Sequence, residues 1–363
     1  MNNYLKNIIL TLVALFAIGL QPMMASEAPE HELDVKGFIM EHLADSYEWH
    51  ITTWGETHVS IPLPVIVFGE TSGLNVFMSS QFHHGHNEYN GFYIAQEGDY
   101  KGKIVEKNQA GEEVRPLDFS LTKNALGLLI NCSLLIFLIL SVASWYKKQD
   151  EGNNFKAPKG FVGSMEMFIM TIVDDLIKPA IGKDYRKYTP YLLTAFFFIF
   201  LNNIMGLIPI FPAGANTTGN IAITLVLALF TFFTVNFNGT KEYWKEIFNP
   251  EVPGWLKPLM IPIEIVGMFT KPFSLMVRLF ANILAGHSII LGLTCLIFVT
   301  VSLGAAINGT MTVMSIFLSV FIMFVEILVA FIQAYVFTML SAIYIGMARV
   351  EHHGHKEEVV DKK

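Results

Sequence analysis

Five apolar runs separated by short polar stretches occupy the last two thirds of the chain: Asn124 to Trp145, Tyr188 to Ile208, Asn220 to Phe237, about Lys257 to Val301, and Val313 to Ala348. An α-helix rises 1.5 Å per residue, so about 20 apolar residues cross a hydrocarbon core of ~30 Å. Each run is therefore read as a membrane helix. The last two are longer than a perpendicular crossing requires, so they must tilt, begin outside the core or lie partly across it. Pro262 and Pro272 are expected to interrupt the fourth. Phe161 to Ile177 is also apolar but carries Glu166, Asp174 and Asp175, which suits a helix lying at the interface. Lys147, Lys148, Lys156, Lys159, Lys183, Arg186, Lys187, Lys241, Lys245 and Lys257 all fall in connections on one side. The opposite connections, Ile210 to Gly219 and Ser302 to Thr312, are charge-free loops. Positive residues mark the cytoplasmic side, so the pattern predicts five spans with the N-terminus outside and the C-terminus inside.

The pattern changes before Asn124. Residues 1–25 have a positive start at Lys6, an apolar run from Ile8 to Leu20 and small residues near Ala25, the layout of a secretory signal peptide. The rival reading is a short N-terminal membrane anchor. Residues 26–118 predict a small β-rich extracytoplasmic domain. A helix is expected over His31 to Tyr47, and strand-type runs over Trp49 to Trp54, Val59 to Phe68 and Phe92 to Ala95. Gly69, Ser72-Gly73 and Glu97-Gly-Asp99 divide these runs. The fold class is thus an all-α polytopic membrane protein (residues 119–349) with a β-rich N-terminal outer domain and a cytoplasmic tail, 350–363.

Composition sharpens this division. The 363 residues are 53% hydrophobic and only 15% charged, with a mean hydropathy of +0.47; soluble domains average about 25% charged. The net charge of −7 hides an asymmetry, because Glu27 to Ser120 holds 16 acidic and 5 basic residues. No exposed basic stripe suggests nucleic acid. Cys132 and Cys295 both sit in apolar runs and read as small hydrophobes. The clusters His83, His84, His86 and His352, His353, His355 lack an acidic partner motif and are read as solvated, with no metal and no cofactor implied.

Candidate chemistry lies within the spans. Between Lys271 and Arg349 the only Asp, Glu, Lys or Arg residues are Arg278 and Glu326. An arginine at mid-bilayer costs roughly 2.5–3.5 kcal/mol and cannot shed its proton, so it marks an ion pathway by default. Asn282 shares its face one turn on. Glu264 lies within about 40° of that face and roughly 21 Å towards the cytoplasm; His287 is turned about 180° away and roughly 13 Å towards the outside. Gln333 follows Glu326 by seven residues on nearly one face. If the two long helices pack antiparallel with Gln333 level with Arg278, Glu326 reaches the height of His287. Such a carboxylate and imidazole suit a proton relay, with a buried structural ion pair as the bland alternative.

Two motifs give these residues a family. Lys271-Pro-x-Ser-Leu-x-x-Arg278-Leu-Phe-x-Asn282-x-x-Ala-Gly286 and Glu326-Ile-Leu-x-x-x-x-Gln333-Ala-Tyr-x-Phe resemble subunit a of the F-type ATP synthase membrane sector, as does the Asn202-Asn-x-Met-Gly-x-x-Pro209 ending. The resemblance implies a proton channel of the bacterial inner membrane, with no catalysis of its own. Its implied partners are the c-subunit ring, the b-subunit peripheral stalk, the catalytic head and the bilayer. By the same resemblance Arg278 faces the ring carboxylates, Glu264 belongs to the cytoplasmic path, and Asn282, His287, Glu326 and Gln333 to the outer path. Two departures stand out. The histidine and glutamate of the outer pair are exchanged, and the N-terminal domain is larger than the family's usual short N-terminus. The competing classes are a proton-coupled secondary transporter, which predicts internal repeats that this sequence does not show, and a structural membrane anchor, which has no use for Arg278 and Glu326.

Overall fold

The computed structural model describes residues 35–349 apart from 55–56, 71, 86, 109–110, 152–156, 209–213 and 251. The signal segment, residues 26–34, His86 and the tail with His352, His353 and His355 lie outside the described residues.

The N-terminal region opens with a short helix, α1 (Val35–Leu43), within the expected helix; Tyr47 belongs to the connection that follows. Strand β1 (Glu48–Trp54) forms an antiparallel hairpin with β2 (Thr57–Pro62). The run Val59 to Phe68 is not one strand. It divides at Leu63 into β2 and β3 (Pro64–Gly69), because Pro62 and Pro64 have no N–H to give a ladder. Leu63 instead exchanges bonds with Ser79, its N–H donating to Ser79 Oγ at 3.0 Å and its carbonyl accepting from Ser79 N at 2.9 Å. Strand β4 (Gly73–Met78), in a stretch for which the sequence pattern predicts no element, pairs with β3 from Pro64↔Met78 to Gly69↔Gly73. A second partner of β3 is β8 (Leu117–Asp118). The third sheet is β5 (Phe92–Ile94), β6 (Ile104–Lys107) and β7 (Glu113–Val114). Tyr47, Val65, Val67, Phe82, Phe92 and Ile104 form one buried core. Tyr47 donates from its hydroxyl to Asp118 Oδ2 at 2.5 Å and accepts from Ile104 N at 3.5 Å. Burial, then the Asp118 carboxylate, push that hydroxyl well above its ordinary value of 10.

The remainder is helical: α2 (Lys123–Glu151), α3 (Gly160–Thr171), α4 (Lys178–Ile181), α5 (Tyr185–Leu207), α6 (Ile221–Phe237), α7 (Lys241–Phe248), α8 (Lys257–Val299) and α9 (Ala305–Arg349). A π-helical turn, Ile172–Ile177, joins α3 to α4 and buries Ile172, Leu176 and Ile177. Four helical stretches among the described residues are long and apolar enough to cross a membrane: Lys123–Gln149, Gly160–Leu207, Lys257–Ser302 and Ala306–Arg349. The α6–α7 pair, bent by 101°, adds a fifth if it counts as one span. The architecture is mostly helical, with four to five candidate spans and a β-containing N-terminal region.

Two expectations about the long helices need correcting. Helix α8 runs unbroken through Pro262 and Pro272; each proline removes one backbone bond, which a membrane helix tolerates when its neighbours support it. The loop over Ser302 to Thr312 is also shorter than expected. Gly304, at φ 97°, makes the break, and α9 is helical from Ala305. Thr300 at the end of α8 donates to Asn308 Oδ1 at 2.9 Å, and Thr310 and Thr312 bond back to carbonyls four residues earlier. Polar residues that read as loop are thus absorbed into the helix by local hydrogen bonds.

The helical core is built by α5 and α9, with α8 and the π-helical turn against them. Leu192, Phe196 and Ile199 of α5 meet Leu275 and Leu279 of α8 and Ala334, Phe337 and Ile345 of α9. Small residues allow close approach: a Cβ at Gly346 would strike the Ala180 carbonyl.

Candidate functional site

Helices α8 and α9 carry the polar residues, and two contacts set their register. Asn282 Nδ2 donates to Gln333 Oε1 at 2.6 Å, and a Cβ at Gly286 would collide with the carboxylate of Glu326. Numbers rise along one helix as they fall along the other, so the pair is antiparallel. Gln333 is level with Asn282, one turn from the expected level of Arg278. Glu326 still arrives beside Gly286, next to His287 in sequence.

Arg278 is half-buried. No hydrogen bond or ion pair joins it to any other described residue. Its neighbour Val277 is exposed, as are Phe273 and Phe269 further round α8 towards the Glu264 end, whereas the exposed Phe317, Phe321, Phe324 and Leu328 of α9 lie the other way, at and beyond the level of His287. A permanently charged guanidinium is thus held half-buried beside exposed Val277, without a partner among the described residues. Gln333 is 3% exposed, and Asn282 provides the partner its amide oxygen needs there. Glu326 is half-buried, and its Oε2 has no hydrogen-bond partner among the described residues.

His287 turns to a different neighbour. Its Nε2 lies 3.7 Å from where a Cβ of Gly206 on α5 would be, and the Ala215 carbonyl lies 3.6 Å from the same point. The imidazole therefore sits between α5 and the segment before α6, on the side of α8 away from Arg278. His287 and Glu326 come to neighbouring heights, with no hydrogen bond between them.

On the other side of Arg278, Glu264 is half-buried and close enough to Tyr243 of α7 to act on it electrostatically. A cavity of about 20 Å³ lies nearby, lined by polar Thr231, Asn236, Tyr243, Lys271 and Tyr344 among others, room for about one water. Lys271 Nζ lies 5.6 Å from the centre of the Tyr344 ring, and Tyr243 donates to Asn236 Oδ1 at 3.3 Å.

Two polar clusters were missed as site residues. Thr231 of α6 bonds to Tyr191 of α5 at 2.8 Å and to Ser341 of α9 at 3.2 Å. Nearer the His287 end, Asn131 of α2 donates to Asn202 Oδ1 at 2.9 Å, which also accepts from Thr217 at 2.8 Å, and Thr218 donates to Asn203 Oδ1 at 2.7 Å. Asn131 Oδ1 and Asn203 Nδ2 are buried without a partner among the described residues. The Asn202-Asn203 pair at the end of an apolar run is the signal that could have found this cluster. No group of three or more metal-ligating side chains occurs among the described residues.

Comparison with known proteins bears on both regions. The family described as ATP synthase A chain matches residues 127–346, and a family described as a domain of unknown function matches residues 38–119. ATP synthase subunit a of Pelodictyon phaeoclathratiforme is 42% identical over 245 residues, covering 66% of this chain and 68% of that protein. The corresponding protein of Chloroherpeton thalassium is 41% identical over 250 residues, covering 68% and 71%. ATP synthase subunit a of an Anaeromyxobacter species is 34% identical over 338 residues, covering 90% and 74%, so that likeness reaches into the N-terminal region. A family match over more than half of the chain, on the helices that carry Arg278, Glu326 and Gln333, makes this protein a member of the ATP synthase subunit a family.

Proposed function

We propose that the chain is the stator proton channel of a rotary ATP synthase, working through two offset half-paths beside a ring of c subunits. The observation that carries this reading is Arg278, a half-buried cation with no partner among the described residues, one turn from the Asn282–Gln333 pair. Protons arrive from outside past His287, Glu326 and the Asn282–Gln333 pair and neutralise a ring carboxylate. The ring turns, and the proton leaves on the cytoplasmic side past Glu264. Arg278 favours the deprotonated form of the carboxylate passing it and repels a free proton, so the two half-paths do not join directly. One charge crossing 100 mV carries about 2.3 kcal/mol, the driving force that a direct leak would dissipate.

Several features support this division. Gly286 leaves room for the Glu326 carboxylate, whose unpaired oxygen is available to a proton. His287 and Glu264 lie on opposite sides of Arg278 along α8, each near a polar cluster. The reading places the chain in the bacterial inner membrane with five spans, residues 26–118 outside and the C-terminus inside. Its partners are the c-ring, the b-subunit peripheral stalk and, through them, the catalytic head. Family membership and the lack of an internal repeat leave the transporter and anchor readings without support.

The test is Arg278→Ala in the assembled complex. ATP synthesis driven by a proton gradient is expected to vanish while passive proton permeability of the vesicles persists or rises. Arg278→Lys is expected to fail as well, because a lysine can lose its proton when buried. Normal coupling in the alanine variant would defeat the gating role.

A further inference from the structure

The region of unknown function is joined to the helical region at the start of α2. The N–H of Lys123 donates to the Ser46 carbonyl at 2.9 Å, and that of Asn124 to Asp45 Oδ1 at 3.0 Å across 79 residues of sequence. A helix start leaves its first N–H groups unsatisfied, and here two of them are satisfied by the connection between α1 and β1. Trp49, on β1, is 3% exposed. A Cβ at Gly127, one turn into α2, would lie 3.8 Å from Trp49 Cη2 and would collide with Ala215 Cβ. Three parts of the chain therefore meet at one point: β1, the first turn of α2 and the segment before α6.

That segment leads to His287. The Ala215 carbonyl and His287 Nε2 both lie against Gly206. Thr217, two residues on, donates to Asn202, which also takes the amide of Asn131, one turn below Gly127. The Lys123 ammonium is within electrostatic range of both Asp45 and His287. A continuous set of contacts thus runs from the β region, through Trp49, Gly127, Ala215 and Gly206, to the imidazole.

We propose that residues 38–122 are a working part of the outer half-path: by capping α2 and wedging Trp49 behind Gly127 and Ala215, they hold the mouth through which protons reach His287. The inference rests on the reading of His287 as an outer-path residue. Trp49 and Asp45 are positioning residues in this account, and the species they help to admit is the hydrated proton. A displacement of order 1 Å at a reacting group can cost about a hundredfold in rate, so a modest shift of the 214–218 segment is enough to be measured.

The experiment uses the intact complex in proteoliposomes, with ATP synthesis followed against outer pH at fixed inner pH and fixed membrane potential. Trp49→Ala, Asp45→Ala and Gly127→Ala are each expected to raise several-fold the outer proton concentration needed for half-maximal rate. The maximal rate at saturating outer protons and the dependence on inner pH are expected to stay as in the parent, and Trp49→Phe to restore most of the loss. Leu74→Ser, on the exposed side of β4, serves as the neutral control. A purely structural domain would lower the amount of assembled complex and leave the outer profile of the remainder unchanged. That result, or an equal shift on the inner side, overturns the proposal. Should Trp49→Ala fail to assemble, Gly127→Ala, which adds one methyl group, decides the matter. His287→Ala separates the two levels: if it leaves the outer profile unaltered, the reading of the path itself is wrong. If it alters the profile while the Trp49, Asp45 and Gly127 variants do not, only the role of the domain is wrong.

Discussion

Two glycines show how single atoms set the site. Gly286 and Gly206 both lie within helices, where glycine costs roughly 0.5–1 kcal/mol relative to alanine. A methyl group at Gly286 would occupy the space of the Glu326 carboxylate, whereas one at Gly206 would make ordinary contacts with His287 and Ala215. Gly286→Ala is therefore expected to leave the chain stable but to slow proton conduction by about an order of magnitude, the effect of some 1.4 kcal/mol at the barrier. Gly206→Ala is expected to be nearly silent. Dye-quenching measurements of proton flux through the membrane sector compare the two, and equal effects would show that the close approach of Glu326 to α8 is incidental.

At the scale of elements, the register of α8 against α9 decides which polar groups can cooperate. The Asn282–Gln333 bond sets it one turn away from a simple alignment of Gln333 with Arg278, leaving the guanidinium without a partner among the described residues. A cysteine pair at 282 and 333, introduced after Cys132 and Cys295 are replaced by serine, is expected to close on mild oxidation. A pair at 278 and 333 is expected to stay open, since disulfides require Cα atoms about 4.4–6.8 Å apart. Gel mobility after oxidation reads the outcome, and the reverse result would shift the two helices by a turn.

On the scale of the whole molecule, Tyr47 ties together parts of the β region that are far apart in sequence, through Asp118 and the Ile104 N–H. Its hydroxyl pKa is raised in the folded state above the ordinary value of 10. The protonated form therefore contributes stability that is fully present below pH 10 and is lost as pH climbs above it. Tyr47→Phe is expected to cost about 1 kcal/mol at neutral pH, the net worth of a hydrogen bond, and to flatten the alkaline loss. Thermal melts of the detergent-solubilised chain followed by near-ultraviolet circular dichroism between pH 8 and 11 would show both effects. An alkaline slope unchanged by the substitution would remove Tyr47 from this role.

The sequence by itself determined the helical membrane region, the separate β-rich section and the identity of the polar residues. Apolar length, Lys and Arg placement and a lone arginine are local signals that need no knowledge of neighbours. It also carried the family motifs on α8 and α9. Only the tertiary structure decided that Gln333 meets Asn282, that His287 faces Gly206 while Glu326 faces Gly286, and that Asp45 and Trp49 reach the start of α2. The physical reason is that helical periodicity fixes the face of a residue on its own helix, while the neighbour it meets depends on side-chain packing between elements distant in sequence. The division at Leu63 and the helical start at Ala305 differ from these, because their signals are local: Pro62 and Pro64 flank Leu63, and Thr300 bonds to Asn308 only eight residues on. The fold adds the Ser79 bonds that hold Leu63 between the two strands.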